Sequence, residues 1–389
     1  MLNRRLLRIK VMQALYALKQ SEISNYHNAA VYIDEAYAPD LNAAESPDLK
    51  KLEANKKVAK ALFEQAYKSG SPAADKESEH VLEVVHNAID QYYNSNKKDQ
   101  RHYLRLLKED TEDIYSRYIG ILNLIIELGD YALEYENEKK SRYLKNAGNG
   151  VSGKLFAENS LLGILRGSAE LEKERARRNI KWPSSFVKKF YKEALLKDET
   201  FLEYLNSGSS DFEKDKKVVV YIAKNLIFKN KITREYFEEE DISWAENKSI
   251  ISGLINKTFK EVSSPEDQLE LIELSPNWEE DKEFFVELFE RTLSNEGRLE
   301  EIISGKAENW DIERIASTDN VILKMALAEM LYFPSIPVKV TINEYIELSK
   351  IYSTPRSKKF INGLLDSLAL ELGDKGLIRK SGRGLIDNK

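Results

Sequence analysis

The basic residues of the first twenty positions are the side chains in this sequence best suited to hold phosphate. The segment MLNRRLLRIKVMQALYALKQ contains five basic residues and no acidic one, although the whole chain has a formal net charge of -6. The five are Arg4, Arg5, Arg8, Lys10 and Lys19. Residues after Gln20 therefore sum to -11, from 54 basic and 65 acidic side chains. A basic helix at the start of an acidic chain indicates a phosphate-rich partner.

A second basic group opens a predicted helix near the C-terminus. Ser353 and Thr354 place hydroxyls before Pro355, the pattern of a capping residue followed by proline at the first helical position. The basic residues of the first turn are Arg356, Lys358 and Lys359. Cations in a first turn oppose the helix dipole, whereas a bound anion is favoured by both the dipole and the side chains. A phosphate site and a solvated basic turn are both open interpretations.

Residues 148–154, Gly-Asn-Gly-Val-Ser-Gly-Lys, match the GxxxxGK part of a nucleotide-binding P-loop. The next residue is Leu155, so the hydroxyl that would hold Mg²⁺ is missing. The preceding residues 131–145 are charged and helical in pattern, whereas the motif requires a buried strand. We interpret the segment as a connector between helices.

No other group of residues has a spacing typical of catalysis or metal binding. The chain contains no cysteine, which excludes disulfides and thiol catalysis. His80 and His86 are six residues apart and point to different sides of a helix. No serine lies in a nucleophile elbow. We therefore predict a protein without catalytic residues, metal or cofactor, and not an enzyme.

Composition favours a folded helical chain with no membrane span. Hydrophobic residues make up 42% of the 389 positions, and 17 Gly and 9 Pro are few for this length. The longest apolar run, Tyr118–Leu128, is far shorter than the ~20 residues that cross a bilayer. The basic N-terminus lacks the h-region of a signal peptide, because Arg8 and Lys10 interrupt it. We expect a cytoplasmic protein.

Helical periodicity runs through almost the whole sequence. Leu7, Val11 and Leu18 belong to a stripe that predicts one helix over residues 4–20. Arg4 and Arg8 are four residues apart, so they share one face of this helix. Clusters of small polar residues at 94–96 and 206–210 predict loops. The sequence therefore predicts an all-α fold.

The helical pattern is clearest in the last sixty residues. Pro334 and Pro337 bracket a short loop, and an amphipathic helix through Tyr345 and Tyr352 follows. The last helix begins at the proline of the capping pattern, and Gly373 is its predicted stop.

The sequence also contains a weak internal repeat. When residues 215–244 are laid on residues 281–310 without gaps, Asp215-Lys216 aligns with Asp281-Lys282 and Trp244 aligns with Trp310. This predicts a duplicated helical unit, and chance similarity between amphipathic helices is the alternative.

The two ends of the chain together resemble a known family. The start, NRRLLRIKVMQALYALKQSE, and the stretch NWDIERIASTDNVILKMALAEMLYFPSIPVKVTINEYIELSKIYSTPRSKKFINGLLD closely resemble the NusB family of transcription antitermination proteins. The most specific portion is IPVKVTINEYIELSK followed by KKFINGLLD. The ending SGRGLID and the long middle are similar to the enlarged form of the family in the Bacteroidetes lineage. The resemblance covers residues 1–22 and about 279–372.

The resemblance implies a helical bundle of two small subdomains that a long segment interrupts. Residues 1–22 would be the first helix of the family core, and residues 279–372 would be the remainder. Residues 23–278 would be a large helical insertion, and its partial repeat of the 281–310 pattern indicates growth by duplicated units. Residues 373–389 would be a C-terminal tail.

The resemblance also implies an RNA-binding function. Members of the family bind the boxA sequence of nascent ribosomal RNA leaders together with a small-subunit ribosomal protein, NusE, and so join the transcription elongation complex. Tyr16 and Asp319 carry over as contacts to the protein partner. The residues that carry over as RNA contacts are Arg4, Arg5, Arg8, Ser357, Lys358 and Lys359. Lys10 and Arg356 are predicted as RNA contacts with them, because they belong to the same two basic groups, although Arg356 lies where the family can have an acidic residue. The two basic groups would then be halves of one split site.

Two other classes of protein remain as alternatives. In the first, the chain is a helical protein-protein interaction scaffold without specific RNA binding, and the acidic insertion recruits the partners. In the second it modifies RNA, because some ribosomal RNA cytosine methyltransferases carry a NusB-like front domain. No Rossmann glycine fingerprint or catalytic cysteine accompanies the motifs here, which disfavours the second alternative.

Overall fold

The computed structural model describes residues 2–39, 48–69, 78–141, 152–306 and 316–386. Within these ranges every regular element of secondary structure is a helix, so the all-α prediction is confirmed. The chain forms two compact units. The central unit consists of residues 1–6 and 109–281, and the terminal unit consists of residues 7–108 and 282–389.

The helices of the described residues are short in the central unit and longer in the terminal unit. In chain order they are α1 (Arg4–Ala36), α2 (Leu49–Ser69), α3 (Glu79–Ser141), α4 (Lys154–Ala157), α5 (Ser160–Gly167), α6 (Ala169–Arg177), α7 (Ser184–Glu193), α8 (Glu199–Asn206), α9 (Phe212–Tyr221), α10 (Lys231–Glu240), α11 (Trp244–Glu261), α12 (Trp278–Ser294), α13 (Glu296–Lys306), α14 (Ser317–Tyr332), α15 (Val338–Tyr352) and α16 (Pro355–Asp374). Of these, α1, α3 and α12 contribute residues to both units.

In the terminal unit, α1, α2 and the first half of α3 share an apolar core. Ile33 of α1, Phe63 of α2 and Val85 of α3 are each almost fully buried in it. α2 buries its face through Ala59, Phe63 and Ala66, which recur at three- and four-residue spacing as expected for an amphipathic helix. The opposite face of α2 is exposed to solvent.

α14, α15 and α16 pack against one another in the same unit. Every residue of α14 from Val321 to Met330 is buried, which makes it the central helix of this group. α15 begins directly after Pro337 and buries Tyr345 and Leu348, as its amphipathic pattern predicts. This confirms the predicted loop and helix of the last sixty residues.

α16 ends at Asp374, one residue beyond the predicted stop, and the glycine that terminates it is Gly376. Gly373 lies within the helix, and Gly376 has a φ of +65° in the left-handed region that favours glycine. The Gly376 amide donates to the Gly373 carbonyl oxygen at 2.9 Å, and the Leu377 amide donates to the Leu372 carbonyl oxygen at 2.9 Å. This pair of hydrogen bonds is a Schellman motif, so Gly376 rather than Gly373 terminates the helix.

The tail after α16 folds back onto the loop between α14 and α15. The Lys380 ammonium donates to the Phe333 carbonyl oxygen at 2.8 Å, and the Ser381 amide donates to the Pro334 carbonyl oxygen at 3.0 Å. A Cβ atom at Gly384 would lie 2.0 Å from the Pro334 carbonyl oxygen, so this position requires glycine. Within the SGRGLID ending, Asp387 lies outside the described residues.

The core of the central unit is built around the second half of α3. The apolar run predicted as too short for a membrane, Tyr118–Leu128, is almost entirely buried here. The Tyr118 hydroxyl hydrogen-bonds to the Thr258 hydroxyl at 2.6 Å. Asp215 is also buried and accepts hydrogen bonds from the Ser160 hydroxyl at 2.6 Å and the Tyr204 hydroxyl at 2.6 Å.

Two predictions of local structure need correction. α1 does not end at residue 20 but continues to Ala36. The predicted loop at 94–96 is wrong, because these residues lie inside α3. Asn96 is buried and its side-chain oxygen accepts a hydrogen bond from Asn25 of α1 at 2.8 Å. Asn96 is a residue type that usually indicates a turn, but here the hydrogen bond from Asn25 allows it to lie buried inside a helix. The loop at 206–210 is confirmed.

The two halves of the internal repeat have the same helix pattern. The first helix starts at Phe212 in one copy and at Trp278 in the other, an offset of 278 − 212 = 66. With the same offset, α10 (residues 231–240) corresponds to residues 297–306 of α13. Residues 218–224 and 284–290 also share one burial pattern. These matches are what a duplicated unit would give, although Trp310 lies outside the described residues.

Candidate nucleic-acid interface

The start of α16 is built as an anchored helix N-terminus. Thr354 has an extended backbone, and its hydroxyl oxygen accepts a hydrogen bond from the Ser357 amide at 3.2 Å. Pro355 occupies the first helical position, where its missing N–H costs no hydrogen bond. The Ser353 hydroxyl donates to the carboxylate of Asp319 in the first turn of α14. The predicted cap is therefore confirmed, and a second helix holds the residue in front of it.

The first turn of α16 presents cations to solvent. Arg356 and Lys359 are exposed, and Ser357 and Lys358 are partly exposed. In the part of the chain that the structure describes, no carboxylate forms an ion pair with any of the three cations. The amides of a first turn and the helix dipole also attract negative charge. The charge and the backbone of this turn both favour an anion over a cation as its ligand.

The start of α1 presents its cations in a different environment. Asn3 caps the helix, because its side-chain oxygen accepts a hydrogen bond from the Leu6 amide at 2.8 Å. Arg4 is partly exposed and forms ion pairs with Glu280 and Asp281 of the same unit, the latter at 3.6 Å. Arg5 is exposed. An RNA phosphate at Arg4 would therefore compete with two carboxylates.

Arg8 lies in the interior of the terminal unit, with 2% of its surface exposed. Its Nε and Nη2 atoms donate to the two carboxylate oxygens of Glu329 at 2.7 and 2.8 Å, which is a bidentate pair. Burial alone would lower the pKa of Arg8, but the carboxylate of Glu329 raises it above its ordinary value. The guanidinium also lies 5.2 Å from the centre of the Phe284 ring. Arg8 is therefore a structural cation of the core.

Glu329 is the centre of a buried polar network. Besides Arg8, it accepts hydrogen bonds from the Thr341 hydroxyl at 2.8 Å and the Tyr345 hydroxyl at 3.2 Å. Burial and the neighbouring Glu329 carboxylate raise the pKa of Tyr345, which keeps its hydroxyl protonated as a donor. All four side chains come from α1, α14 and α15, so the network fixes the position of α1 on these helices.

Lys10 is also buried, with 2% of its surface exposed. The RNA contacts predicted at Arg8 and Lys10 therefore have no exposed side chain to support them, because α1 is buried over the segment from Leu6 to Met12. The sequence contained a signal for this burial. Arg8 and Lys10 are flanked on both sides by large apolar residues, and an exposed helix face does not have that pattern.

The two predicted contacts to a protein partner lie in different environments. Tyr16 is on α1 with 38% of its surface exposed. Asp319 is 2% exposed and accepts the hydrogen bond from Ser353. Tyr16 is accessible to a partner, whereas Asp319 holds the residue that precedes the α16 cap.

The remaining sequence features show no metal site and no membrane span in the described residues. No group of three or more His, Asp or Glu side chains among them is arranged to hold a metal ion. None of the helices in the described ranges is both long and apolar enough to cross a membrane. Residues 148–151 of the P-loop-like segment lie outside the described residues. Of the rest, the Ser152 hydroxyl donates to Glu136 at 2.9 Å, and Lys154 pairs with Glu158 at 3.6 Å.

Comparisons with known proteins point to one family. A model described as the NusB family matches residues 244–370, which run from the start of α11 into α16. A protein of Salinibacter ruber named "Transcription antitermination protein NusB" is 47% identical over 105 residues, 27% of this chain and 66% of the relative. Proteins of the same name from Chloroherpeton thalassium and Oleidesulfovibrio alaskensis are 42% identical over 106 residues and 48% identical over 89 residues.

These matches cover only part of each protein. The match to the Chloroherpeton thalassium protein covers 27% of this chain and 50% of that relative. The match to the Oleidesulfovibrio alaskensis protein covers 23% of this chain and 58% of that relative. The chain thus spans between half and two thirds of the length of the relatives it matches. No solved structure matches the chain significantly. The family match begins at Trp244, earlier than residue 279 where the sequence motifs resume, and residues 1–22 are outside it. Residues 244–370, the C-terminal part of this larger chain, are therefore a NusB domain.

Proposed function

We propose that this chain is a cytoplasmic, non-enzymatic transcription antitermination factor. In this proposal it binds boxA-type single-stranded RNA in ribosomal RNA leaders together with ribosomal protein NusE, within the transcription elongation complex. The observation that carries the proposal is the exposed first turn of α16, whose cations have no carboxylate partner in the described residues. It lies within the segment that matches the NusB family.

The proposed RNA contacts differ in strength because their surroundings differ. Arg356 can grip phosphate oxygens with a two-pronged guanidinium, and Lys358 and Lys359 add point charges. The Ser357 hydroxyl lies in the same turn and can donate to a phosphate oxygen. Arg4 and Arg5 are proposed as further contacts from the start of α1. Arg8 and Lys10 are proposed to act from the interior, by holding α1 in place.

The protein partner is proposed to contact Tyr16, which is accessible on α1. Asp319 is proposed to support that surface indirectly, because its carboxylate holds Ser353. If NusE binds through this region, Tyr16→Ala weakens the complex with NusE and leaves RNA affinity in its absence unchanged.

The test is RNA binding by the variant Arg356→Ala/Lys358→Ala/Lys359→Ala across a salt series, with a scrambled RNA for comparison. Each phosphate contact to a single strand contributes about 0.7 to the slope of log affinity against log salt, so losing three contacts lowers the slope by about 2. The matched control is Lys189→Ala/Lys224→Ala/Lys257→Ala, which removes three exposed lysines of the central unit.

The control variant is expected to keep the wild-type slope. An unchanged slope in the α16 variant would reject the first turn of α16 as the RNA site. Equal affinity of the wild-type protein for boxA-type and scrambled RNA would reject the proposed function and favour a protein-protein scaffold.

A further inference from the structure

A second basic surface lies in the terminal unit, outside the segment that matches the NusB family. α2 contains six lysines and two glutamates, although the whole chain is acidic. Lys50, Lys51 and Lys57 are exposed, and among the described residues none of them forms an ion pair. The other three lysines pair with Asp34, Glu53 and Glu64. α2 therefore keeps an excess of positive charge on its outer face.

α3 has an exposed stripe of one aromatic and two basic residues of its own. Tyr93, Lys97 and Arg101 are each four positions apart, so they lie on one face of the helix. Tyr93 has 48% of its surface exposed, and Lys97, Lys98 and Arg101 are exposed as well. Within the described parts of the chain, no carboxylate pairs with any of these three cations.

The acidic residue nearest in sequence to these cations does not neutralise them. Asp99 is flanked by Lys98 and Gln100, but its carboxylate accepts a hydrogen bond from Asn25 of α1 at 2.7 Å. This contact directs the carboxylate to α1, and the three cations Lys97, Lys98 and Arg101 outnumber its single negative charge.

Two exposed tyrosine rings contact the same buried ring. The Tyr67 ring of α2 lies 5.5 Å from the buried Tyr92 ring of α3, and the Tyr93 ring lies 5.3 Å from Tyr92. Tyr67 also contacts Tyr26 of α1 at 4.8 Å and still has 43% of its surface exposed. These contacts hold the rings in place while part of each remains accessible. Fixed aromatic rings beside unpaired cations are the combination that binds single-stranded nucleic acids.

We infer that Tyr67, Tyr93, Lys97, Lys98 and Arg101 form a second contact surface for single-stranded RNA, which takes the nucleotides flanking the boxA-type segment. Charge complementarity selects the occupant, because the cations have no internal carboxylate partners. A membrane surface is disfavoured, because α2 buries its apolar face, Ala59 and Phe63, in the core, and its exposed Leu49 and Tyr67 are too far apart to form a second apolar face. The inference rests on the proposed function, since it extends the RNA footprint beyond α16.

The experiment compares a boxA-type RNA with the same RNA extended on both sides by uridine tracts. The wild-type protein is expected to bind the extended RNA more tightly. In the variant Lys97→Ala/Lys98→Ala/Arg101→Ala, this gain is expected to fall by about tenfold, with a salt slope lower by about 2 for three lost phosphate contacts. Affinity for the short RNA stays unchanged. Tyr93→Ala reduces the gain less and leaves the salt slope the same, because base stacking involves no phosphate.

Folding does not confound these variants, because all four side chains are exposed and alanine has the highest helix propensity. Circular dichroism and the unfolding midpoint verify this. The central-unit control, Lys189→Ala/Lys224→Ala/Lys257→Ala, removes the same charge and is expected to keep the full gain. Photocrosslinking of 4-thiouridine in the extensions is expected to label the peptide that contains Tyr93.

Three results would overturn the inference. They are an extended RNA that binds no tighter than the short one, a stripe variant that keeps the whole gain, and a stripe-dependent association with phosphatidylglycerol vesicles in place of RNA. The failure of the proposed function gives a different result. In that case the α16 variant binds the short RNA as well as the wild-type protein does.

Discussion

The starts of α1 and α16 are both basic, yet their cations have opposite environments. Arg8 meets Glu329 in the interior, and Arg4 meets Glu280 and Asp281. Arg356 and its neighbours in the first turn of α16 meet no carboxylate within the described residues. The difference shows that the number of cations in a segment does not tell how much positive charge is available to a ligand. Carboxylates far away in the sequence decide that.

The largest expected effect comes from breaking the buried pair at the start of α1. Arg8→Ala leaves the Glu329 carboxylate buried without its cation, and breaking such a pair costs about 3–5 kcal/mol of folding free energy. Denaturant unfolding measures the loss. The corresponding substitution of the exposed arginine of α16, Arg356→Ala, is expected to change the unfolding free energy by less than about 0.5 kcal/mol.

A double variant separates the charge from the packing. Arg8→Met/Glu329→Gln removes both charges, and the glutamine oxygen can still accept from Thr341 and Tyr345. Since replacing a buried ion pair by uncharged groups of similar size is often close to neutral, this variant is expected to recover most of the stability. If Arg8→Ala alone cost less than about 1 kcal/mol, the pair would contribute no more than a surface salt bridge.

A second paired cluster of the terminal unit predicts a pH dependence. Lys324 of α14 donates to Glu296 at 2.7 Å, and Lys19 of α1 lies 3.6 Å from the same carboxylate. Burial alone would raise the pKa of Glu296, but the two lysines hold it below its ordinary value of 4.5. A lowered pKa in the folded state contributes stability that is complete above pH 4.5 and is lost as the pH falls further.

The test measures the unfolding free energy of the wild-type protein and of Glu296→Gln, at pH 7 and below pH 4.5. At pH 7 the variant is expected to lose on the order of 1 kcal/mol, and the difference from the wild-type protein should shrink as the pH falls. Glu53→Gln serves as the exposed comparison, because its ion pair with Lys56 lies at the surface. A constant difference between Glu296→Gln and the wild-type protein at every pH would exclude this carboxylate as the source.

Local patterns in the sequence predicted the elements of the α16 region well. The patterns that predict these elements lie in neighbouring residues. The elements are the Thr354-Pro355 cap, the loop between Pro334 and Pro337 and the buried face of α15. The glycine that ends the helix is three residues later than the predicted Gly373, because it is Gly376 whose left-handed backbone completes the Schellman motif. Choosing between two nearby glycines requires the hydrogen bonds of the helix end.

Contacts between distant residues could not be predicted from the sequence in the same way. Arg8 and Glu329 are 321 positions apart, and only the apolar residues around each of them hinted at burial. For the same reason the sequence did not predict that Asn96 lies inside a helix, because its hydrogen-bond partner Asn25 is 71 positions away. The RNA roles of the two basic groups stay predictions, but the structure separates cations that are already paired from those that are not.

One expected effect has the opposite sign and belongs to the start of α16. Its three cations lie in a first turn, where positive charge opposes the helix dipole by roughly 0.3–1 kcal/mol each at low ionic strength. Arg356→Ala/Lys358→Ala/Lys359→Ala is therefore expected to raise the unfolding free energy by about 1 kcal/mol while it weakens RNA binding. Salt screens exposed charges, so the gain should disappear in concentrated salt. A loss of stability in this variant would mean that the three side chains hold the fold together, as Arg8 does. A gain would mean that they are kept at an energetic cost, which a bound phosphate would offset.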